Sequence, residues 1–162
     1  MFKRLILLAL VFGALVSCQE NLVFSKFRPT SNGAWNASQI MQFEVSDLDS
    51  LQSYNLFISV RNDDTYPFSN LFLIAELERP SGNTVKDTLE YEMALPTGEW
   101  MGTGYGSIKE NKLWYKENIV FRDTGVYKIK ISHAMRKNGD VSGIQSLKGI
   151  TDVGLEIEKS NQ

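Results

Sequence analysis

Histidine occurs once in 162 residues, at position 133, and cysteine once, at position 18. A single imidazole removes most routes to general acid–base, triad and zinc chemistry. A triad needs its histidine between a nucleophile and an acid, and a zinc site draws on several nitrogen or sulfur donors. His133 shares strand phase with Tyr127, Ile129 and Ile131, so it reads as a partly buried structural side chain, and no enzyme is expected. One cysteine leaves no partner for a disulfide within the chain. No basic run, and no Arg/Lys stripe interleaved with aromatics, occurs anywhere, which argues against nucleic acid as a partner. No segment sustains a 3.6-residue apolar period, and neither a repeat nor a low-complexity tract is present. The longest apolar run near the start, residues 5–16, would measure about 18 Å as a helix, short of a hydrocarbon core of roughly 30 Å.

That short run has its own meaning. Met1-Phe2-Lys3-Arg4 is a basic start, the apolar segment follows, and Leu15-Val16-Ser17 leads directly into Cys18. The order is that of a lipoprotein signal. Cleavage is expected before Cys18, whose thiol would carry a diacylglycerol and whose freed amino group would be acylated. Removal of residues 1–17 takes Lys3 and Arg4 but no acid, leaving 15 basic residues against 19 acidic ones, net −4. The chain that remains suits one domain, large enough to be held by its core without disulfides. Two or more acyl chains give stable membrane attachment. Residues 18–22 are expected as a short lipidated tether, 23–158 as the folded domain and 159–162 as a frayed tail.

From Val23 onward the pattern is one of short strands and turns. Met41, Phe43 and Val45 alternate with polar residues; so do Tyr54, Leu56, Ile58 and Val60, and later Val85, Leu89, Tyr91 and Met93. Such alternation marks half-buried strands. Residues 71–77 are apolar on both faces at first, as in a central strand. Pro80-Ser81-Gly82-Asn83 supplies a hairpin turn. Strands are also expected over 23–27, 113–121, 127–131 and 153–157. In Asp123-Thr124-Gly125-Val126-Tyr127 the spacing suits a tyrosine corner, in which the hydroxyl bonds back to the corner before its strand. The sum is all-β: a single Greek-key, immunoglobulin-like β-sandwich of about eight or nine strands.

Four glycines, Gly98, Gly102, Gly104 and Gly106, crowd the longest expected loop, with Trp100 and Tyr105 among them and Trp114 just beyond. No Gly-Lys-Ser/Thr follows, so this is not a phosphate loop; it reads as a flexible or tightly bent connection. Glycines leave neighbouring aromatics little cover. Trp100, Tyr105 and Trp114 are therefore the candidates for contact with a protein partner or, in the alternative reading, for stacking on a polysaccharide. Asp47, Asp49, Asp63 and Asp64 could serve calcium only if their loops met, and no EF-hand spacing supports it. Solvated loop acids are the expectation, and no metal or cofactor is called for. Asp49-Ser50-Leu51 and Asp87-Thr88-Leu89 resemble the O-glycosylation triplet of Bacteroidetes, a pattern short enough to arise by chance.

Several segments in one order carry a wider resemblance. They are the Cys18 lipobox, Val60-Arg61-Asn62 leading to Tyr66-Pro67-Phe68-Ser69-Asn70-Leu71, Gly98-Glu99-Trp100-Met101-Gly102-Thr103-Gly104, Gly125-Val126-Tyr127, and Leu147-Lys148-Gly149-Ile150-Thr151-Asp152-Val153-Gly154-Leu155. Together they span nearly the whole mature chain, which resembles the GldH family of gliding-motility lipoproteins of Bacteroidetes. The resemblance implies a non-enzymatic cell-envelope lipoprotein linked to gliding and the type IX secretion machinery, with other envelope proteins as partners. Cys18 is the one functional position it transfers. Gln19, where an aspartate would favour inner-membrane retention, points to the outer membrane, and the lone Glu20 after it to the periplasmic face.

Overall fold

The computed structural model describes residues 21–160, all of whose regular structure is β. The expected signal peptide, Cys18 and most of the tether lie outside the described residues. Ten strands form: β1 (Leu22–Pro29), β2 (Ala34–Asn36), β3 (Met41–Val45), β4 (Ser53–Asn62), β5 (Asn70–Glu78), β6 (Thr84–Glu92), β7 (Lys109–Val120), β8 (Tyr127–His133), β9 (Ser146–Lys148) and β10 (Ile150–Lys159). One four-stranded sheet has the order β1-β10-β4-β7, the other β3-β8-β5-β6, and β2 pairs with β9 in a small ribbon.

The all-β sandwich expected from alternation is the fold that forms. Its strand order narrows the Greek-key description to a jelly roll, because the eight long strands, crossing between the sheets at every step except the β5–β6 hairpin, take the order of two interleaved Greek keys. Every strand pair in the sheets is antiparallel. Met41, Phe43 and Val45 from β3, Tyr54, Leu56, Ile58 and Val60 from β4, Leu71, Leu73, Ala75 and Leu77 from β5, and Val153, Leu155 and Ile157 from β10 all face inward and are buried. Those of β3, β4 and β10 are the positions whose period of two marked them as core; β5, read as apolar on both faces at first, also alternates in burial.

Several strands differ in extent from the sequence reading: β1 runs Leu22–Pro29 where 23–27 was expected, and β8 runs Tyr127–His133 where 127–131 was expected. β7 begins at Lys109 rather than at Leu113, because its buried inward residue there is polar: Asn111 donates to Asn62 Oδ1 at 2.9 Å and to Val60 O at 3.3 Å. β10 begins at Ile150, where a shift of register between Ile150 and Asp152 interrupts the alternation. At its other end it runs through Lys159, where a frayed tail was expected. Lys159 N–H donates to Asn21 O at 2.7 Å, and Ser160 N–H donates to Ser53 O at 2.9 Å.

The tyrosine corner is present. The Tyr127 hydroxyl accepts from Asp123 N–H at 2.8 Å, and Gly125 takes φ +129° against Pro80. A second tyrosine does the same work on the neighbouring loop, since Tyr54 OH accepts from Asp49 N–H at 2.9 Å. Phe121 sits edge-on to both rings, 5.8 Å from Tyr54 and 4.7 Å from Tyr127. Tyr127→Phe removes the acceptor and leaves the Asp123 amide unpaired, so a loss of about 1 kcal/mol is expected. Urea unfolding checks it: a lower midpoint with an unchanged slope is the predicted result.

Candidate functional site

Because the long strands of both sheets run along one axis, the sandwich has two ends of different make-up. One end holds Asn21, residues 46–52, the β5–β6 turn and residues 121–126. The opposite end holds the β2–β9 ribbon, residues 63–69, the β6–β7 connection and residues 134–145. Of the segments that carry the family resemblance, three meet at this second end. Gly149 is the joint between its own segment and that of Tyr66. Its N–H donates to Gly33 O and its carbonyl accepts from Asp63 N–H, both at 2.9 Å. With φ +84°, it lies so close to Tyr66 that a Cβ would fall 2.3 Å from the Tyr66 nitrogen. Only glycine fits such an approach.

The β6–β7 connection is a pair of stacked turns rather than a slack loop. Ala94 and Trp100 bridge across a turn closed by Gly98 N–H to Leu95 O at 2.8 Å. Thr103 and Glu110 then exchange both backbone hydrogen bonds, at 2.9 and 2.8 Å. Gly102 lies flat against β7, where a Cβ would come within 2.8 Å of Asn111 Oδ1. Gly104 has φ +141° and would clash with Ile108 O at 2.6 Å. Lys109 Nζ donates to Gly104 O at 2.8 Å. Gly102 and Gly104 are thus tight-packing residues, whereas Gly98 (φ +88°) and Gly106 (φ +76°) face open space and serve the turns themselves; the tip carries Tyr105, which is fully exposed. Leu95, Met101 and Ile108 are exposed apolar side chains of the same connection.

Trp100 departs from the expectation of an open rim aromatic. It is half-buried, its indole N–H donates to Asp64 Oδ1 at 3.3 Å, and its ring lies 6.1 Å from that of Tyr66. Tyr66 is itself buried, with its hydroxyl donating to Asn70 O at 2.7 Å, and burial pushes its pKa well above the usual phenol value. Trp100 therefore locks the loop to the Tyr66–Phe68 segment, and a shallow depression lined by Tyr66, Phe68, Leu95, Pro96 and Trp100 lies over the joint. Trp114 is elsewhere. It projects from the outer face of the first sheet, 55% exposed, and stacks on Phe57 with centroids 4.4 Å apart. Four residues along β7 from Glu110 put it roughly 13 Å from the loop base. Of the three aromatics proposed together, Trp100 and Tyr105 share an end and Trp114 does not.

The aspartates do not meet. Asp47 and Asp49 precede β4 and Asp63 and Asp64 follow it, so the length of that strand separates the pairs. Asp49 Oδ1 accepts from Leu51 N–H and Asp63 Oδ1 from Thr65 N–H, each at the capping distance of a turn (2.9 and 2.8 Å). Among the described residues no group of three or more His, Cys, Asp or Glu side chains is arranged to hold a metal ion.

Three comparisons bear on this architecture. The sequence model of the GldH lipoprotein family matches residues 22–157. A relative from Christiangramia forsetii named gliding motility lipoprotein GldH homolog is 51% identical over 145 residues, covering 90% of this chain and 88% of its own. Gliding motility lipoprotein GldH of Flavobacterium johnsoniae is 46% identical over 147 residues, 91% of each chain. Among solved structures, the VP2 subviral particle of infectious bursal disease virus is similar with a TM-score of 0.41 at 12% identity, over 84% of this chain and 32% of that one.

His133 has a structural role at the same end. Its Nε2 lies 3.1 Å from Trp35 O, which can only accept, so the proton is on Nε2 and Nδ1 is bare; Nδ1 is buried and has no hydrogen-bond partner among the described residues. Its ring also meets the fully buried Trp35 edge-on at 5.4 Å. Burial lowers its pKa, and the bond to Trp35 O opposes that shift in part. The neutral form is thus favoured on folding. The unfolded chain binds more protons between the lowered folded value and the ordinary value of about 6.5, so stability rises with pH through that window. Urea midpoints taken from pH 7.5 down to 5.5 should fall, and His133→Asn should flatten that slope; an equal slope in the variant would contradict this assignment.

Proposed function

The chain belongs to the GldH lipoprotein family, and we propose that it is a non-enzymatic, lipid-anchored component of gliding motility that binds other envelope proteins through its loop-bearing end. The lipid is carried by Cys18, the membrane is the outer membrane, and the domain lies on the periplasmic face, in contact with the associated type IX secretion machinery. One observation carries the reading: Cys18 precedes β1 at one end of the sandwich, while the braced Tyr105 tip and its apolar neighbours lie at the other. An exposed tyrosine on a rigid loop offers contact area at low entropic cost, the kind of residue that dominates interface energetics. The lone histidine is engaged with Trp35, which supports a binding role over a catalytic one.

The test compares two substitutions in cells, read by crosslinking and mass spectrometry. Tyr105→Ala touches nothing in the core and should change stability by no more than about 0.5 kcal/mol. It is expected to stay in the membrane fraction at normal abundance and to lose crosslinks to envelope proteins. Cys18→Ala should lose incorporated palmitate and leave the membrane. If Tyr105→Ala keeps its protein partners but loses retention on polysaccharide, the carbohydrate-binding reading replaces this one.

A further inference from the structure

The end of the sandwich nearer the anchor carries its own exposed apolar residues. Leu51 is 90% exposed at the tip of residues 47–52, and Val126 (44%), Val23 (40%) and Val120 (36%) are exposed at the same end. Val120 pairs with Ser53 at the base of this loop, and residues 46–48, Ser50 and residues 121–127 line one shallow depression together. Leu51 is not held out by slackness. Asp49 Oδ1 accepts from Leu51 N–H at 2.9 Å, Gln52 N–H donates to Asp49 O at 3.2 Å, and Asp49 N–H is fixed by the Tyr54 hydroxyl.

The position of this loop relative to the chain's start is also fixed. Gln52 Nε2 donates to Ser160 O at 3.3 Å, Ser160 N–H donates to Ser53 O, and Lys159 N–H donates to Asn21 O. Asn21 is thus two strand spacings from Tyr54, roughly 10 Å. Only three residue steps separate Asn21 from Cys18, a reach of at most about 11 Å. Any lipid on Cys18 holds this end at the bilayer surface.

We propose that Leu51, supported by Val126, Val120 and Val23, docks this end of the domain against the lipid bilayer, so that the anchor and the loop make two points of attachment and set the domain upright. The inference rests on acylation of Cys18. The charges beside the loop are mixed, Asp47, Asp49 and Asp123 against Arg122 and Lys159, so the contact depends on apolar insertion and not on anionic headgroups. Zwitterionic lipid is sufficient.

The test uses the full acylated protein in phosphatidylcholine–phosphatidylethanolamine vesicles. Acylation consumes the thiol of Cys18, so Leu51→Cys, Val126→Cys and Tyr105→Cys each present one reactive thiol for an environment-sensitive dye. Flotation is measured first; a protein that stays at the bottom of the gradient overturns the anchor and this contact together. In floated protein the dye at position 51 should emit to the blue of the dye at 105, be quenched by nitroxides on the acyl chains, and be quenched severalfold less by iodide. Equal iodide quenching at 51 and 105 in floated protein overturns the contact and leaves the anchor intact. To separate the loop from the dye's own affinity for lipid, Leu51→Asp is added to the protein labelled at 126. Shielding at 126 should then be lost, and shielding that persists overturns the role of Leu51.

Discussion

Strand β10 enters the sandwich as an inner strand, between β1 on one side and β4 on the other, and the rest of the structure depends on that insertion. It joins residues from 88 (Ile150 with Asn62) to 136 (Glu158 with Leu22) positions apart, so the first sheet closes only when β10 is in place. Packing outside the sheet enforces the register. Phe27 of β1 lies across Gly154 of β10, where a Cβ would come within 2.8 Å of the ring, and the Arg61 guanidinium of β4 covers Phe27 at 4.1 Å. A bulkier residue at 154 would push three strands apart. The same insertion brings Lys159 to Asn21 and Ser160 to Ser53, fixing where the chain enters the sandwich.

That closure gives the molecule polarity. At the entry end, two tyrosine hydroxyls accept from the loop amides of Asp49 and Asp123, and Phe121 fills the space between the rings. At the far end, Trp35, fully buried, closes the core under the β2–β9 ribbon, with its indole N–H given to Gln39 O at 2.8 Å. Truncating a tryptophan so placed typically costs ~3–5 kcal/mol. Asn62 and Asn111 are buried as a mutual pair there, and buried polar pairs of this kind specify geometry because leaving one member unpaired is costly. The far end that these contacts hold together is the one that carries the exposed Tyr105.

Much of this was legible in residue order because it is local. Alternation of period two marks a strand wherever one face is dry and the other wet, as in β3 and β8, whose buried and open positions alternate throughout; β4 is buried on both faces through its middle, yet its apolar inner positions still alternate with more polar ones at its ends. The Asp123–Tyr127 corner spans five residues, so its spacing alone announced it. The rest is set by distant partners. β2 and β9 have three residues each, too few to show a period, and pair only with one another. Strand order among antiparallel neighbours is not written in alternation, so the jelly-roll arrangement could not be told from other Greek keys. The glycines around Trp100 suggested open space, but its ring is claimed by Tyr66 and Asp64 from another connection. Phe57 points to the outer face yet is nearly buried, because Trp114 and Lys112 of the neighbouring strand lie over it.

The central claim is one of orientation: anchor and apolar loop at one pole, Tyr105 and its partners at the other, with the strands running between. Neutron reflectometry of the acylated protein on a supported bilayer measures this directly. Ten residues of β4 at about 3.3 Å each span roughly 33 Å, so the account predicts a protein layer at least that thick, abutting the headgroups. A layer thinner than the strand length would mean that the sandwich lies on its side. A water gap wider than about 11 Å, the reach of the tether, would mean that the entry end does not touch the membrane, and either result would contradict the account.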